Sequence, residues 1–361
     1  MASSSGAPQP ASAAATPSAA YSDALAALER YRPLLVAELR AVLDAREGPP
    51  FDLMRYHLGW QDGQGRAIEG RGGKLLRPSL CLLSCEATGG GAASALPGAA
   101  AVELLHNFTL IHDDVEDASP QRHGRSTLWK LRDEAQAINA GDGMFALAHL
   151  TLLGLSERGQ PADRVLAAVR LLDEATLRLC QGQHLDLTFA EEAAITEAQY
   201  IEMIEGKTAS LLAASCALGA LLGGAPPATV DALREFGRRL GLAFQIRDDV
   251  LGCWGDAAET GKPAGDDLRE GKKSYPVVVG LERASAEQRA ALSAVLAGGA
   301  PDEAISSACR LLEELGAREA CDTAARGHAE GATAALQGLA LHAERRRELE
   351  ALAHYAAART S

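Results

Sequence analysis

The sequence predicts an all-α fold, and three observations carry that reading. From Ser22 onward Ala, Leu, Glu and Arg dominate, and apolar residues recur at three- and four-residue spacing, the period of an amphipathic helix. Gly/Pro clusters at 47–50, 63–73, 87–91, 223–227 and 297–301 cut the chain into segments long enough for helices of several turns. Alternating β-branched runs are almost absent, so no strand is expected. The first helix should open in SDALAALERYRPLLVAELRAVL, with Ser22 or Asp23 as its N-cap. Residues 255–276, polar and rich in Gly, Asp and Lys, read as a long functional or solvated loop.

With 361 residues and 47% apolar content, the chain can bury one large core, and residues 21–361 read as a single domain. Residues 1–20 are Ala, Ser and Pro-rich without a charged side chain, the composition of a disordered tail, either inert or a docking tag for a partner or a protein shell. A net charge of −13 makes nucleic acid or an anionic membrane a poor partner. An anionic ligand would need a locally basic or metal-loaded site. No apolar run is long enough to span a bilayer, and the N-terminus lacks the basic and Leu-rich regions of a signal peptide. The seven cysteines include no CxxC pair and sit mostly in apolar stretches, so they read as small core fillers in a reducing cytoplasm.

The chemistry concentrates in an internal echo. LHNFTLIHDDVED brings in Asp113, Asp114 and Asp117, and GLAFQIRDDVLG brings in Asp248 and Asp249. Each is an apolar helical run closing on an Asp-Asp pair. On a helix, residues four apart share a face, so Asp113 and Asp117 converge. Adjacent carboxylates repel, and a hard divalent cation such as Mg²⁺ relieves that, taking one or two carboxylates plus substrate phosphates. Two such clusters suggest metals held between opposed helices of a bundle. On the basic side, GRGGKLLRP sets Lys74 and Arg77 three residues apart, read as one helical face behind a Gly pair that suits a diphosphate. Arg122, Lys207 and Lys262 add cations near the other conspicuous segments.

Taken together, these segments resemble the trans-isoprenyl diphosphate synthases from about residue 30 to the C-terminus. GGKLLRP, LLHNFTLIHDDVEDASPQRHGRSTLW, AINAGDGMFALA, GQHLDL, MIEGKTASLL, FQIRDDVLG and GKPAGDDLREGKKSYP are similar, in order, to that family's blocks. The resemblance implies a large helical bundle of the isoprenoid synthase type around a central cavity, and a homodimer. It implies that Asp113 and Asp117 hold two Mg²⁺ ions with Asp114 in support, and that Asp248 holds a third with Asp249 behind it. Arg122, Lys207 and Lys262 would bind an allylic diphosphate. Lys74, Arg77 and His106 would bind isopentenyl diphosphate, and Gln183, Asp186, Thr208 and Gln245 would line the reacting centre. Two positions depart from the family pattern. Its arginine pair is Arg122-His123 here, so either a protonated His123 makes the second contact or the affinity for isopentenyl diphosphate is lower. The second motif ends in Gly252, where the nearby Asp256 is the candidate substitute.

The implied reaction is ionisation of the allylic diphosphate, attack by the isopentenyl double bond and loss of a proton, with no protein nucleophile and with the loop around Lys262 closing over the site. Product length would depend on Phe108, five residues before Asp113 or roughly 7.5 Å along the axis, with the small Thr109 beside it. In the family, a single aromatic at that position goes with geranylgeranyl diphosphate, and farnesyl diphosphate is the second reading. A class I terpene cyclase shares the first aspartate motif but would need an Asn/Ser/Glu-type second motif and no GGKxxRP. His112-Asp113 alone is too little for an HD-type phosphohydrolase. An inactive regulatory homologue would be expected to lose one aspartate motif, and both persist.

Overall fold

A computed structural model describes residues 17–68, 73–256 and 263–359 and bears out the all-α expectation. The helices are α1 (Pro17–Asp44), α2 (Pro49–His57), α3 (Leu76–Ala87), α4 (Ala92–Glu116), α5 (Leu128–Leu131), α6 (Glu134–Leu153), α7 (Ala162–Glu191) and α8 (Glu197–Ile204). They continue with α9 (Ser210–Leu222), α10 (Pro227–Trp254), α11 (Asp266–Arg269), α12 (Tyr275–Arg283), α13 (Ala286–Leu296), α14 (Asp302–Glu314), α15 (Ala317–Ala335) and α16 (Ala343–Ala358). The Gly/Pro clusters fall between α1 and α2, α3 and α4, α9 and α10, and α13 and α14. The first helix starts at Pro17, upstream of the expected cap at Ser22 or Asp23. Residues 1–16, most of the tail singled out in the sequence, lie outside the described residues.

Helix α9 is the centre of the bundle. Nearly every residue of SLLAASCALGALL is buried, as expected of a helix apolar on all sides. Helices α3, α7 and α10 pack around it, α4 lies against α3 and α6, and α15 covers α10. Leu35, Leu80, Leu104, Phe236 and Leu240 interdigitate in one contiguous core. All seven cysteines are free; Cys180, however, is exposed rather than a core filler. None of the described helices is long and apolar enough to cross a membrane.

Two local features depart from a plain helical reading, and both serve the site. Gln121–Arg122 pairs with Arg125–Ser126 as a minimal antiparallel hairpin. Its turn puts His123 at φ 52° and Gly124 at φ 73°, the left-handed conformation of a tight two-residue turn. Residues Glu205–Ala209, between α8 and α9, form a π-helical turn that carries Lys207 and Thr208. Such bulges recur at functional sites. Gly182 of α7 and Gly206 of this turn meet backbone to backbone, so a methyl group on Gly182 would fall on the Lys207 amide nitrogen.

On the outer face, Ile138, Leu150 and Leu153 of α6 and Leu166 and Leu177 of α7 are exposed, the last two by 68% and 67%. Among the described residues, nothing covers most of these five side chains.

The close Gly182–Gly206 crossing makes Gly182→Ala costly despite its small size. Overpacking of this kind costs about 1–3 kcal/mol, so the chemical denaturation midpoint should fall. An unchanged midpoint would mean that α7 and the π turn do not meet in this way.

Candidate active site

Helix α4 ends at Glu116 with Asp117 as its C-cap, and α10 carries Gln245, Asp248 and Asp249 in its last three turns. The two ends face a shared cavity of about 700 Å³, whose wall includes Asp113, Glu116, Arg122, Lys207, Gln245 and Asp248. The two acidic motifs therefore meet across one hollow.

Asp113, Asp114, Asp186 and Asp248 each pair with a cation. Lys207 Nζ lies 3.0 Å from Asp113 Oδ1 and 2.6 Å from Asp186 Oδ2. Burial opposes the charge on Lys207, but these two carboxylates raise its pKa above the usual lysine value. Arg122 reaches Asp113 at 3.3 Å and donates from Nε to Asp114 at 2.8 Å. Asp114 is buried and turned away from the cavity wall. Burial pushes its pKa up to about 6 in spite of Arg122. Burial and the neighbouring Asp113 raise Asp117 as well. Asp248 pairs with Arg359, whose guanidinium also stacks on the Phe244 ring at 4.0 Å from its centroid.

A smaller recess adjoins the cavity and shares Arg77, His106 and Phe244 with it; Lys74, Glu103 and Tyr355 complete its polar lining. Arg77 and His106 approach to 3.2 Å. Burial, then Arg77 and Arg122, drive the His106 pKa well below its usual value, so the imidazole is neutral and its Nε2 accepts from Arg77. Glu103, itself raised by burial, faces Arg77 and accepts from Asn107 Nδ2 at 3.0 Å. Lys74 is not on the face of a helix. Leu75 adopts a left-handed conformation at φ 51°, α3 begins only at Leu76, and Lys74 enters the recess from the preceding loop. Its amine lies 3.5 Å from the Tyr355 hydroxyl.

At the reacting end, Thr208 donates to Gln245 Oε1 at 2.8 Å, and Gln245 Nε2 donates to Asp249 Oδ1 at 3.0 Å. Gln183 reaches Glu116 at 2.7 Å. Asp249 is buried behind the cavity, accepting from the Tyr200 hydroxyl and the Tyr275 backbone N–H. Burial and the nearby Asp267 raise its pKa to about 7, against three hydrogen bonds that favour the charged form. The Asp267 carboxylate occupies the space that a side chain at Gly252 would fill. Asp267 is therefore an acid beside the missing motif position, one that the sequence did not point to. His123 lines the cavity, but burial and Arg122 lower its pKa, so the protonated form expected from the sequence is disfavoured. Phe108 and Thr109 lie in the wall of the same cavity. Lys262 falls outside the described residues.

Sequence reasoning missed Arg359, Tyr355 and Phe244. Arg359 and Tyr355 come from a C-terminal helix that carries no motif, and Phe244 reads as one more apolar residue before the second Asp pair. It also missed Cys180, His184 and Leu187, which line the cavity from α7.

Among the described residues, no three His, Cys, Asp or Glu side chains converge into a ready-made metal cage. The donors present are carboxylate oxygens on two walls of one cavity. That set fits Mg²⁺ if substrate phosphates complete its coordination.

An all-α bundle with two opposed aspartate clusters and a basic recess is an arrangement suited to a phosphate-bearing ligand. A family model described as polyprenyl synthetase matches residues 64–312. The chain is 39% identical over 326 residues, 89% of each chain, to (2E,6E)-farnesyl diphosphate synthase of Mycobacterium tuberculosis. It is 41% identical over 260 residues to geranylgeranyl diphosphate synthase of the same organism, covering 72% of this chain and 73% of that one. A crystal structure of a polyprenyl synthetase from Streptomyces coelicolor A3(2) superposes with a TM-score of 0.86 at 40% identity, covering 92% of this chain and 98% of that one. The chain belongs to the polyprenyl synthetase family and is a trans-prenyltransferase.

The raised pKa of Asp249 has a consequence for stability. An aspartate ordinarily titrates near 3.8, so the native state holds an extra proton between about pH 4 and 7. Rising pH across that window therefore costs stability. In metal-free protein, Asp249→Asn should melt above the parent at pH 8, with the gap closing toward pH 4. A gap that does not change with pH would contradict this.

Proposed function

We propose that the enzyme condenses isopentenyl diphosphate with allylic diphosphates in a Mg²⁺-dependent reaction, with geranylgeranyl diphosphate as its product. The observation that carries this reading is the placement of Asp113 and Asp248 on one cavity, with cations beside both and a basic recess adjoining. Asp113, Asp117 and Asp248 are the residues that would hold Mg²⁺. When bound, the metal supplies charge neutralisation that makes the allylic diphosphate a better leaving group.

The chain's own residues divide the remaining work. Arg122 and Lys207 take the allylic diphosphate, exchanging their present carboxylate partners for phosphate oxygens, and Lys262 is assigned to the same group. Asp114 keeps Arg122 in place. Lys74, Arg77 and His106 take the isopentenyl diphosphate in the recess, with His123 at the rim. The neutral His106 hydrogen-bonds there without adding charge, while Glu103 orients Arg77. The allylic C–O bond breaks, the isopentenyl double bond attacks the cation, and the released diphosphate removes the proton. Thr208, Gln245 and Gln183 face the carbocation as neutral dipoles, and Asp186 tethers Lys207 beside it. Asp249 fixes Gln245 from behind.

The growing hydrocarbon runs from Asp113 along α4 toward Phe108, roughly 7.5 Å away at about 1.5 Å per residue. A single aromatic stop at that depth supports geranylgeranyl diphosphate. Farnesyl diphosphate is the second reading, favoured by the relative matched over 326 residues. The exposed leucines of α6 and α7 support a homodimer.

Isopentenyl diphosphate with dimethylallyl, geranyl or farnesyl diphosphate and Mg²⁺ should give geranylgeranyl diphosphate by chromatography. Asp113→Asn and Asp248→Asn should each lower turnover at least about a hundredfold, and Phe108→Ala should lengthen the product. Full turnover in both Asp variants would refute the site. Farnesyl diphosphate as the end product would select the second reading. Sedimentation at micromolar concentration should give a dimer, and a monomer would contradict the assigned face.

A further inference from the structure

The hairpin that carries Arg122 and His123 is too small to hold itself in place. Its strands have two residues each, with Gln121 opposite Ser126 and Arg122 opposite Arg125. A two-stranded ribbon on its own is marginal in water. The turn adds strain, because His123 takes a left-handed conformation at φ 52°, which a side chain disfavours. The pair next to the turn sets two guanidinium-bearing residues directly opposite each other, where like charges repel.

Two ties, to two different helices, hold the hairpin. On one side Arg122 reaches Asp113 and Asp114 of α4. On the other, Arg125 Nη1 donates to the Tyr56 carbonyl at 2.8 Å and Nη2 donates to the Gln61 carbonyl at 2.6 Å. The Arg125 guanidinium also lies over the Tyr56 ring, 4.1 Å from its centroid, and the Tyr56 hydroxyl donates to the Ser126 carbonyl at 2.8 Å. Tyr56 belongs to the last turn of α2, where carbonyls lack helical partners and a cation is favoured. A planar guanidinium serves two carbonyls and a ring face at once, which the compact ammonium of lysine does not.

The two ties differ in what they touch. The α4 tie is made by carboxylates at the reacting end. Arg125 and Tyr56 line neither the cavity nor the recess, and the α2 tie uses only backbone carbonyls and a ring.

We propose that Arg125, together with Tyr56, is a positioning residue for the allylic diphosphate. It fastens the hairpin to the end of α2, so that Arg122 stays beside Asp113 as it changes partner from carboxylate to phosphate. This rests on the reading that Arg122 binds that diphosphate.

The experiment measures the KM for geranyl diphosphate at saturating isopentenyl diphosphate and Mg²⁺, in the full chain. Loss of folded protein lowers turnover but leaves KM alone. R125A should raise this KM about tenfold, the order expected when a binding group is misplaced. R125K should recover part of the loss, because lysine reaches one carbonyl at a time. Y56F should raise the KM by about two- to threefold, the effect of one hydrogen bond. In the R122Q background, R125A should add less than about twofold, the mark of a residue that acts through Arg122. R66A, which removes an exposed ion pair with Asp62 from the loop after α2, should match the parent. If R125A does not fold, Y56F and R122Q/Y56F carry the same comparison. R125A at the parent KM, or the same rise with and without Arg122, would overturn the proposal, and so would an equal rise in R66A. R122Q at the parent KM would overturn the reading of Arg122 itself. R122Q raised with R125A and Y56F unchanged would overturn the positioning role alone.

Discussion

The structure depends on a balance of charge across one cavity. Carboxylates at the ends of α4 and α10 face each other across a half-open cavity, where like charges brought together without partners repel. The resting molecule meets that cost with Lys207, Arg122 and Arg359, each in contact with an aspartate. On the proposed function, a diphosphate would give these cations phosphate oxygens as partners, and Mg²⁺ would take up the carboxylates they release. A net charge of −13 is thus compatible with an anionic substrate because local pairing, not the overall balance, sets the potential inside the site.

The fold exists to hold that balance open. A central helix buried on all sides lets its neighbours diverge around it and leave a hollow between α4 and α7. The Gly182–Gly206 crossing brings the π turn close enough for Lys207 to bridge Asp113 and Asp186. The left-handed Leu75 swings Lys74 into the recess, and the small hairpin around His123 returns Arg122 to α4. In each case an irregular backbone position aims a charged side chain that a regular helix would have pointed elsewhere.

Much of this was legible in the sequence. Helical period, Gly/Pro breaks and the paired Asp motifs are local signals, and their physical consequences are local too. What escaped was tertiary. Lys74 and Arg77 share a recess without sharing a helix face, because the backbone turns over between them. Asp267 stands beside Gly252 because a later segment folds back over α10, a proximity that spacing in the sequence does not reveal. Burial beside Arg122 disfavours the protonated His123 that would stand in for arginine, and that burial is not visible in the motif itself. Arg359 belongs to no motif, and only the packing of the C-terminal helix brings it to Asp248.

The central claim, that the two acidic clusters form one metal–diphosphate site, is tested most directly by anomalous diffraction from crystals soaked with Mn²⁺, with and without inorganic pyrophosphate. The account predicts manganese peaks beside both Asp113/Asp117 and Asp248 in the same cavity when pyrophosphate is present, bridged by its oxygens. Peaks confined to the protein surface, or a pyrophosphate bound away from both clusters, would contradict it.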